Sequence, residues 1–302
     1  MIDRSPRLGY ALTAAAAALF AISGVMARVL LDDGVSAWHL TELRSILAFV
    51  LLVAYLSLTN RDLLKVERRD VPQLAFLGVF GLAAVQSTYF AALARLDIGV
   101  VLTIQYLAPL LILVWTRLVH RTAVAPALWG ACALSFAGSF FVVRAYDTHG
   151  IDGLGLLAAV ATMITFAINL TASERAGRRL DARTTLVWGF GFCSLVWLVA
   201  RPPWTFPFHR FADADHLALG LGVGVAGTLL PFLLIVTALR HIPAARVGVV
   251  ATLEPVIASI LAWPLLDQVL TAPQVAGIVV VVAAVAWVQA ASVRPTWPTS
   301  AH

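Results

Sequence analysis

The chain has 302 residues, of which 61% are hydrophobic and only 12% are Asp, Glu, Lys or Arg. About a quarter of the residues in an average soluble domain are charged, so this chain has too little charge to cover a soluble surface. The composition excludes a soluble globular enzyme, a disordered protein and a collagen-like fibre. It predicts an all-α integral membrane protein made almost entirely of membrane-spanning helices.

Ten apolar stretches of spanning length follow one another along the chain. A helix needs about 20 apolar residues to cross a bilayer. The predicted spans lie at 9–31, 37–58, 72–94, 98–119, 125–143, 151–172, 184–200, 216–239, 244–265 and 272–292. Runs such as 277–286 lack the alternation of membrane β-strands. The spans and their short loops occupy the chain and leave no room for a soluble domain.

Basic residues are distributed unevenly between the two ends of these predicted helices. If the N-terminus is cytoplasmic, fifteen Arg and Lys side chains lie on the cytoplasmic side and six on the outside. The positive-inside rule then places both termini in the cytoplasm. The same rule accounts for the net charge of +5, and no basic stretch carries the interleaved aromatics of a nucleic-acid site. We therefore expect a lipid bilayer and no nucleic acid as partner.

The chain contains an internal repeat at an offset of 146 residues. This shift places Leu8-Gly9 on Leu154-Gly155, and it places 20–23 (FAIS) on 166–169 (FAIN). The matched glycines and prolines carry more weight than matched Ala and Leu in so apolar a chain. They pair Gly78 with Gly224, Gly81 with Gly227 and Pro109 with Pro255, and one residue further on Pro126 with Pro273 and Gly130 with Gly277.

Each repeat, 1–146 and 147–302, holds five predicted helices. Because the number is odd, the second copy enters the membrane from the opposite side. Inverted repeats of this kind are typical of secondary transporters, in which they relate inward-facing and outward-facing states. A channel or a membrane enzyme could share the symmetry, but alternating access explains it best.

The residues in both halves resemble those of the EamA-type transporters in the drug/metabolite transporter superfamily. In the first half the resemblance is carried by Gly78-Val-Phe-Gly81, Tyr89-Phe-Ala-Ala-Leu93 and Pro109. In the second half it is carried by 238–243 (ALRHIP), 253–256 (LEPV), 266–271 (LDQVLT) and Gly277. The resemblance implies ten helices, a central cavity, and often the export of amino acids or other small metabolites.

Glu254 is the most informative single residue, because it lies near the middle of the ninth predicted span. A charged side chain at the bilayer centre costs about 2.5–3.5 kcal/mol on insertion scales. The position predicts a proton-coupling or substrate-ammonium site, with a protonated Glu bonded to a neighbouring helix as the alternative. The first repeat has Ala108 at the matching place, so the fold itself does not require a carboxyl group there.

Prolines interrupt equivalent spans in the two halves. Pro109 and Pro255 each lack an N–H group, which would free the carbonyls of Gln105 and Ala251. Freed carbonyls at membrane depth are tolerated where they line a cavity. The prolines are therefore predicted to line the transport site, with a structural kink as the alternative. Pro231 adds a third interruption in the eighth span.

Further polar and aromatic side chains within the spans are candidates for substrate binding or coupling, with helix–helix hydrogen bonding as the alternative. They are Gln86, Tyr89, Gln105, Asn169, Ser23, Thr252 and Trp188. Gln105 shares a helix face with Pro109, and Trp188 could stack on an aromatic or apolar substrate. For Arg44 two interpretations stay open, an interfacial residue that extends to water and a partner for a substrate carboxylate.

The sequence carries no HExxH, GxSxG, P-loop or Gly-rich dinucleotide motif. Cys132 and Cys193 lie in apolar runs without ligand partners. We therefore expect no enzymatic activity, cofactor or metal site. The first hypothesis is a multi-pass secondary transporter of the bacterial cytoplasmic membrane that exports a small metabolite such as an amino acid, with protons as the candidate coupling ion. The alternatives are a multidrug or cationic-compound exporter, and a membrane enzyme or scaffold that does not transport.

Overall fold

A computed structural model describes residues 5–96, 98–146, 152–266 and 270–292. Residues 267–269 of the 266–271 (LDQVLT) stretch, both chain termini and the first residues after the predicted boundary between 146 and 147 lie outside these ranges. Within the described ranges every regular element is helical. Nine helical segments there are long and apolar enough to cross a membrane, and Pro126–Val142 is a shorter apolar helix of 17 residues. The predictions of an all-α protein and of many membrane spans are therefore confirmed.

The helices of the two halves follow the same order. The first half contains α1 (Pro6–Asp32), α2 (Ala37–Thr59), α3 (Val71–Phe76), α4 (Ala84–Leu93), α5 (Ile98–Gln105), α6 (Ala108–Leu118) and α7 (Pro126–Val142). The second half contains α8 (Gly153–Gly177), α9 (Ala182–Ala200), α10 (Ala214–Gly224), α11 (Leu230–Ala238), α12 (Ala244–Ala251), α13 (Leu253–Leu266) and α14 (Ala272–Ser292).

Short polar side chains set the starts of several helices. Ser36, Asp152 and Asp181 each accept a hydrogen bond from a backbone N–H in the first turn of α2, α8 and α9. Such capping satisfies amides that have no partner within the helix. The caps explain why these helices begin at or beside the predicted positions.

The third and eighth spans each contain a π-helical turn. It covers Leu77–Ala83 between α3 and α4, and Val225–Leu229 between α10 and α11. The two turns overlap at the repeat offset and contain the matched glycines Gly81 and Gly227. π-turns are rare and occur frequently at functional sites. The repeat detected in the sequence is therefore also present in the backbone, as a π-turn at the matching place in each half.

The fourth and ninth spans are broken at equivalent positions. The break lies at 106–107 between α5 and α6, and at Thr252 between α12 and α13. Pro109 lies in the first turn of α6 and Pro255 follows two residues after the start of α13. Proline is well tolerated at the start of a helix, where its missing N–H has no intrahelical partner. The prolines therefore begin new half-helices and do not merely bend a continuous one.

The two halves interlock. Helix α1 packs against α11, α12 and α13 of the second half, and α8 packs against α4, α5 and α6 of the first. The largest core cluster accordingly joins residues from both halves, such as Tyr10 and Ala16 with Val247 and Val250. Two pairs of equivalent helices also pack against each other across the halves, α2 with α9 and α7 with α14.

Candidate functional site

The first element of the site is Arg44, about two turns into α2. Its Nε donates to Thr228 Oγ1 at 2.8 Å, and its Nη2 donates to the carbonyl oxygen of Gly227 at 3.0 Å. Both acceptors lie in the π-turn of the second half. The turn thus holds the guanidinium deep in the protein, and the hydroxyl of Thr228 is itself fixed by donating to the carbonyl of Val223.

The second element is Glu254, in the first turn of α13. The hydroxyl of Tyr106 donates to its Oε2 at 3.2 Å. Tyr106 lies at the break between α5 and α6, so the bond joins the interrupted span of one half to that of the other. The N-terminus of a helix carries amides without intrahelical partners and a partial positive charge, which suits a carboxylate at this position.

Arg44, Glu254 and Tyr89 lie near one another, and the region between them is called the central space. Arg44 and Glu254 interact electrostatically, and Tyr89 interacts with both. All three side chains are partly accessible although they lie inside long apolar helices. Because Arg44 bonds to Thr228 and Glu254 bonds to Tyr106, each charge is held by a neutral group and retains capacity for a further partner.

Four of the predicted site residues are packed between helices. Gln86 donates to the carbonyl of Leu82 and lies 3.5 Å from Ser45, and Thr252 bonds Ser135 of α7 at 2.9 Å. Ser23 lies against Gly227, and Asn169 lies against Gly81. All four are buried. The bonds of Gln86 and Thr252 fit the alternative of helix–helix hydrogen bonding, whereas Ser23 and Asn169 pack against glycines of the other half.

Gln105 is partly buried at the last position of α5, beside Tyr106. Trp188 lies elsewhere. Its Nε1 donates to the carbonyl of Leu64 at 3.0 Å, and its ring lines an apolar groove of about 640 Å³ between α2 and α9 that also includes Phe49 and Phe192. Gln105 is thus the chain neighbour of the residue that bonds Glu254, whereas Trp188 lines a groove between other helices.

The three predicted helix interruptions are buried. A Cβ on Gly248 would lie 2.6 Å from Pro109 Cγ, so Pro109 packs directly against α12. Pro231 lies in the first turn of α11, directly after the π-turn. Pro109 and Pro255 begin the half-helices α6 and α13 next to the two span breaks.

Tyr106 was not among the residues predicted from the sequence, and Arg44 was given two interpretations. A signal for Tyr106 was present, because at the repeat offset it pairs with Thr252 at the other helix break. The environment of Arg44 was not visible in the sequence. Its acceptor, the Gly227 carbonyl, belongs to a π-turn of the other half that no local pattern predicted.

Comparisons with known proteins agree with this architecture. The model of the EamA-like transporter family matches twice, over residues 7–144 and 153–289. The uncharacterised inner membrane transporter YicL of Salmonella typhimurium is 25% identical over 93% of this chain and 95% of its own length. The threonine/homoserine exporter RhtA of Escherichia coli K12 is 23% identical over 83% of this chain and 81% of its own.

A solved crystal structure has the same fold. It superposes with a TM-score of 0.76 over 93% of this chain and 96% of its own, at 16% sequence identity. The double family match covers most of the chain and divides it as the repeat does. The chain is a multi-pass membrane transporter that belongs to the EamA-like transporter family of the drug/metabolite transporter superfamily.

Proposed function

We propose that this protein exports a small zwitterionic metabolite of the amino-acid type across the bacterial cytoplasmic membrane, in exchange for protons. The observation that carries the proposal is the pair of opposite charges in the central space, Arg44 from the first half and Glu254 from the second. A guanidinium pairs well with a carboxylate, and a carboxylate pairs with an ammonium group. An α-amino acid presents both groups together.

The relatives support the substrate class. RhtA is named as an exporter of threonine and homoserine, which are zwitterions that would need one cation and one anion in a binding site. Tyr89 and Tyr106 supply neutral hydroxyl groups and ring surface beside the two charges. A cationic compound without a carboxylate would bring an additional positive charge near Arg44, which disfavours the multidrug or cationic-compound alternative.

The proposed topology has ten spans in two inverted halves, 1–146 and 147–302, with both termini in the cytoplasm. The charge bias of the predicted loops supports it. In the structure, the segment 173–183 and the segment 59–71 lie on one side, where Arg179 pairs with Asp70 at 3.2 Å. Reporter tags at the two termini and labelling of the 201–215 loop from outside intact cells would test the orientation. A periplasmic signal from either terminus would contradict it.

Transport by the purified protein in proteoliposomes tests the function directly. We expect counterflow of labelled threonine or homoserine, and loss of about ten- to a hundredfold in rate or affinity for Arg44→Gln, because a hydrogen bond to a charged group contributes about 1.5–3 kcal/mol. Glu254→Gln should fold normally, yet its transport should lose its pH dependence. Glu67→Gln removes an exposed carboxylate that pairs with Arg69, and it is the control.

The outcomes separate the alternatives. Uptake of cationic drugs that is unaffected by Arg44→Gln, without any amino-acid counterflow, would favour the multidrug exporter. Counterflow with an unchanged pH profile in Glu254→Gln would make that carboxyl group structural and remove the proton coupling from it. No flux of any tested solute by a well-folded protein would favour a scaffold or enzyme.

A further inference from the structure

Glu42 is a second carboxyl group inside the protein, on α2. It is only 2% exposed, and within the part of the chain that the structure describes its Oε2 has no hydrogen-bond partner. Buried polar groups with a purely structural role are normally bonded. Removing an unbonded carboxylate oxygen from water is unfavourable, so the uptake of a proton by Glu42 relieves a desolvation cost.

Side chains of α2, α4 and α9 form two layers, one before and one after Glu42 along α2. On one side the ring of Trp38 lies 6.0 Å from that of Trp197 and 6.2 Å from that of Phe90. Trp38 precedes Glu42 by four residues, so the two share a face of α2. This aromatic layer separates Glu42 from the end of α2 that the proposed topology places outside.

The second layer lies one turn further into the membrane. Ser45 follows Glu42 by three residues, and its Oγ is 3.5 Å from Gln86 Oε1 and 3.6 Å from Cys193 Sγ. Gln86 Nε2 is 3.7 Å from the same sulfur. Cys193 in turn interacts electrostatically with Arg44. The polar layer therefore borders the central site, with Glu42 on its outer side.

Among the described residues, the charged group that interacts with Glu42, Arg201, lies at the outer end. His39 lies on α2 and is held by Ser36 Oγ at 2.9 Å and Arg201 Nη1 at 3.3 Å. Arg201, directly after α9, also interacts electrostatically with Glu42. From α4 the neutral Gln86 contacts Ser45 and Phe90 contacts Trp38. On α10, which packs against another face of α2, His216 is engaged by Asp33 and Asp213.

We propose that Glu42 is a proton-binding station that connects the outer surface to the central site. The proposal rests on the proposed function, since it supplies the route for the exchanged proton. Protonated Glu42 passes its proton past the Ser45 layer to the carboxylate of Glu254, so that one O–H bond breaks at Glu42 and one forms at Glu254. A hydronium ion of the outer solution then protonates the Glu42 carboxylate and becomes water, which restores the starting state of Glu42.

A hydrophobic carbodiimide tests the chemical state of Glu42 without any transport assay, because the reagent modifies protonated carboxyl groups in apolar surroundings. The full-length protein in lipid nanodiscs is treated at pH 7, and the modified residues are identified by mass spectrometry. We expect a modified peptide that contains Glu42 and disappears in Glu42→Gln. Absence of modification at Glu42 across the range from pH 5 to pH 8, while Glu254 reacts, would overturn the proposal.

Transport then tests the route. Glu42→Gln should slow export driven by an inward proton gradient by about tenfold or more, while substrate–substrate exchange at equal pH stays near the wild-type rate and Glu42→Asp restores part of the driven rate. Ser194→Ala is the matched control, because Ser194 is also buried on this helix pair and its Oγ also lacks a partner among the described residues.

The two proposals fail in different ways. Wild-type rates of driven export in Glu42→Gln would overturn the relay. Equal loss of driven export and of exchange would also overturn it, since that result would mark a structural role. If Glu254→Gln keeps its pH dependence while Glu42→Gln loses driven export, the coupling role proposed for Glu254 fails and the station at Glu42 stands.

Discussion

Replacing Gly138 by alanine tests a close helix–helix contact between α7 and α14. A Cβ at Gly138 would lie 2.7 Å from Val281 Cγ2, 2.8 Å from the carbonyl oxygen of Gly277 and 2.9 Å from the backbone nitrogen of Val281. Two of these three atoms belong to the backbone, so no change of rotamer can relieve the overlap. The helices themselves must separate.

The size of the effect follows from the distances. Ordinary contact near 3.5 Å requires a separation of roughly 0.7 Å, and overpacking of this kind costs about 1–3 kcal/mol. Gly24 on α1 is the matched control, because among the described residues nothing would lie within 4 Å of its added Cβ. Alanine at either position gains about 0.8–1 kcal/mol of helix propensity, which cancels when the two variants are compared.

The assay uses the buried thiols of the protein. Cys132 on α7 and Cys193 on α9 are free and buried, so a thiol-reactive dye reports thermal unfolding in detergent. We expect the midpoint of Gly138→Ala to lie roughly 2–9 °C below that of Gly24→Ala. Equal midpoints would refute the reasoning, because they would show that α7 and α14 do not approach each other as closely as the structure indicates.

Two further predictions concern individual polar groups. Tyr106→Phe removes the hydroxyl that donates to Glu254, and it should lower the transport rate about tenfold or more with little change in stability. Tyr10→Phe is the control. It loses a hydrogen bond to the Val288 carbonyl, so it should lower stability and leave the transport rate intact. At Asp181, burial acts to raise the pKa of the carboxyl group, but hydrogen bonds from Arg183 and the charges of Arg183 and Arg240 outweigh it and lower the pKa. The ion pairs of Asp181 therefore stabilise the fold above the ordinary Asp pKa of about 3.9, and this stabilisation is lost as the pH falls through the lowered pKa. Asp181→Asn retains the helix cap but not the charge. It should lower the free energy of unfolding by about 0.5–1 kcal/mol at pH 7 and leave it unchanged in strong acid. Thermal unfolding at both pH values measures this difference, and an equal cost at both would contradict it.

Much of the fold followed from two sequence properties, the length of the apolar stretches and the repeat offset. The predicted spans agree closely with the observed helices, because span length is dictated by bilayer thickness and the starts by capping residues such as Ser36 and Asp181. The Pro109 and Pro255 match also located the two interrupted spans. These features are local or periodic, and a single sequence contains them.

The site was only partly predictable, because its geometry depends on contacts between the halves. Glu254 was predicted from its depth alone, and the structure places it beside Tyr106 from the other half. Gln86 and Thr252 are polar residues within predicted spans, as Glu254 is. Their hydrogen bonds to Leu82, Ser45 and Ser135 pack them between helices. Composition and spacing cannot tell a polar residue that faces a cavity from one that faces another helix.

The last prediction concerns the contact between Ser23 on α1 and Gly227 in the π-turn of the second half. This contact links the packing between the two halves to the position of Arg44. A Cβ at Gly227 would overlap the side chain of Ser23, and the carbonyl of Gly227 accepts from Arg44. Gly227→Ala should therefore displace Arg44 as well as α1. The transport rate of Gly227→Ala should fall by more than its lowered thermal midpoint alone would explain.

A second substitution on α1 separates this contact from a general loss of packing. Ser23→Gly removes the overlapping atoms at a helix-propensity cost of less than about 1 kcal/mol, so the double variant should recover most of the transport that Gly227→Ala alone loses. A double-mutant cycle in proteoliposomes measures the coupling. Additive losses would mean that Ser23 and Gly227 do not touch, and the interlocked arrangement of the two halves around Arg44 would then be wrong.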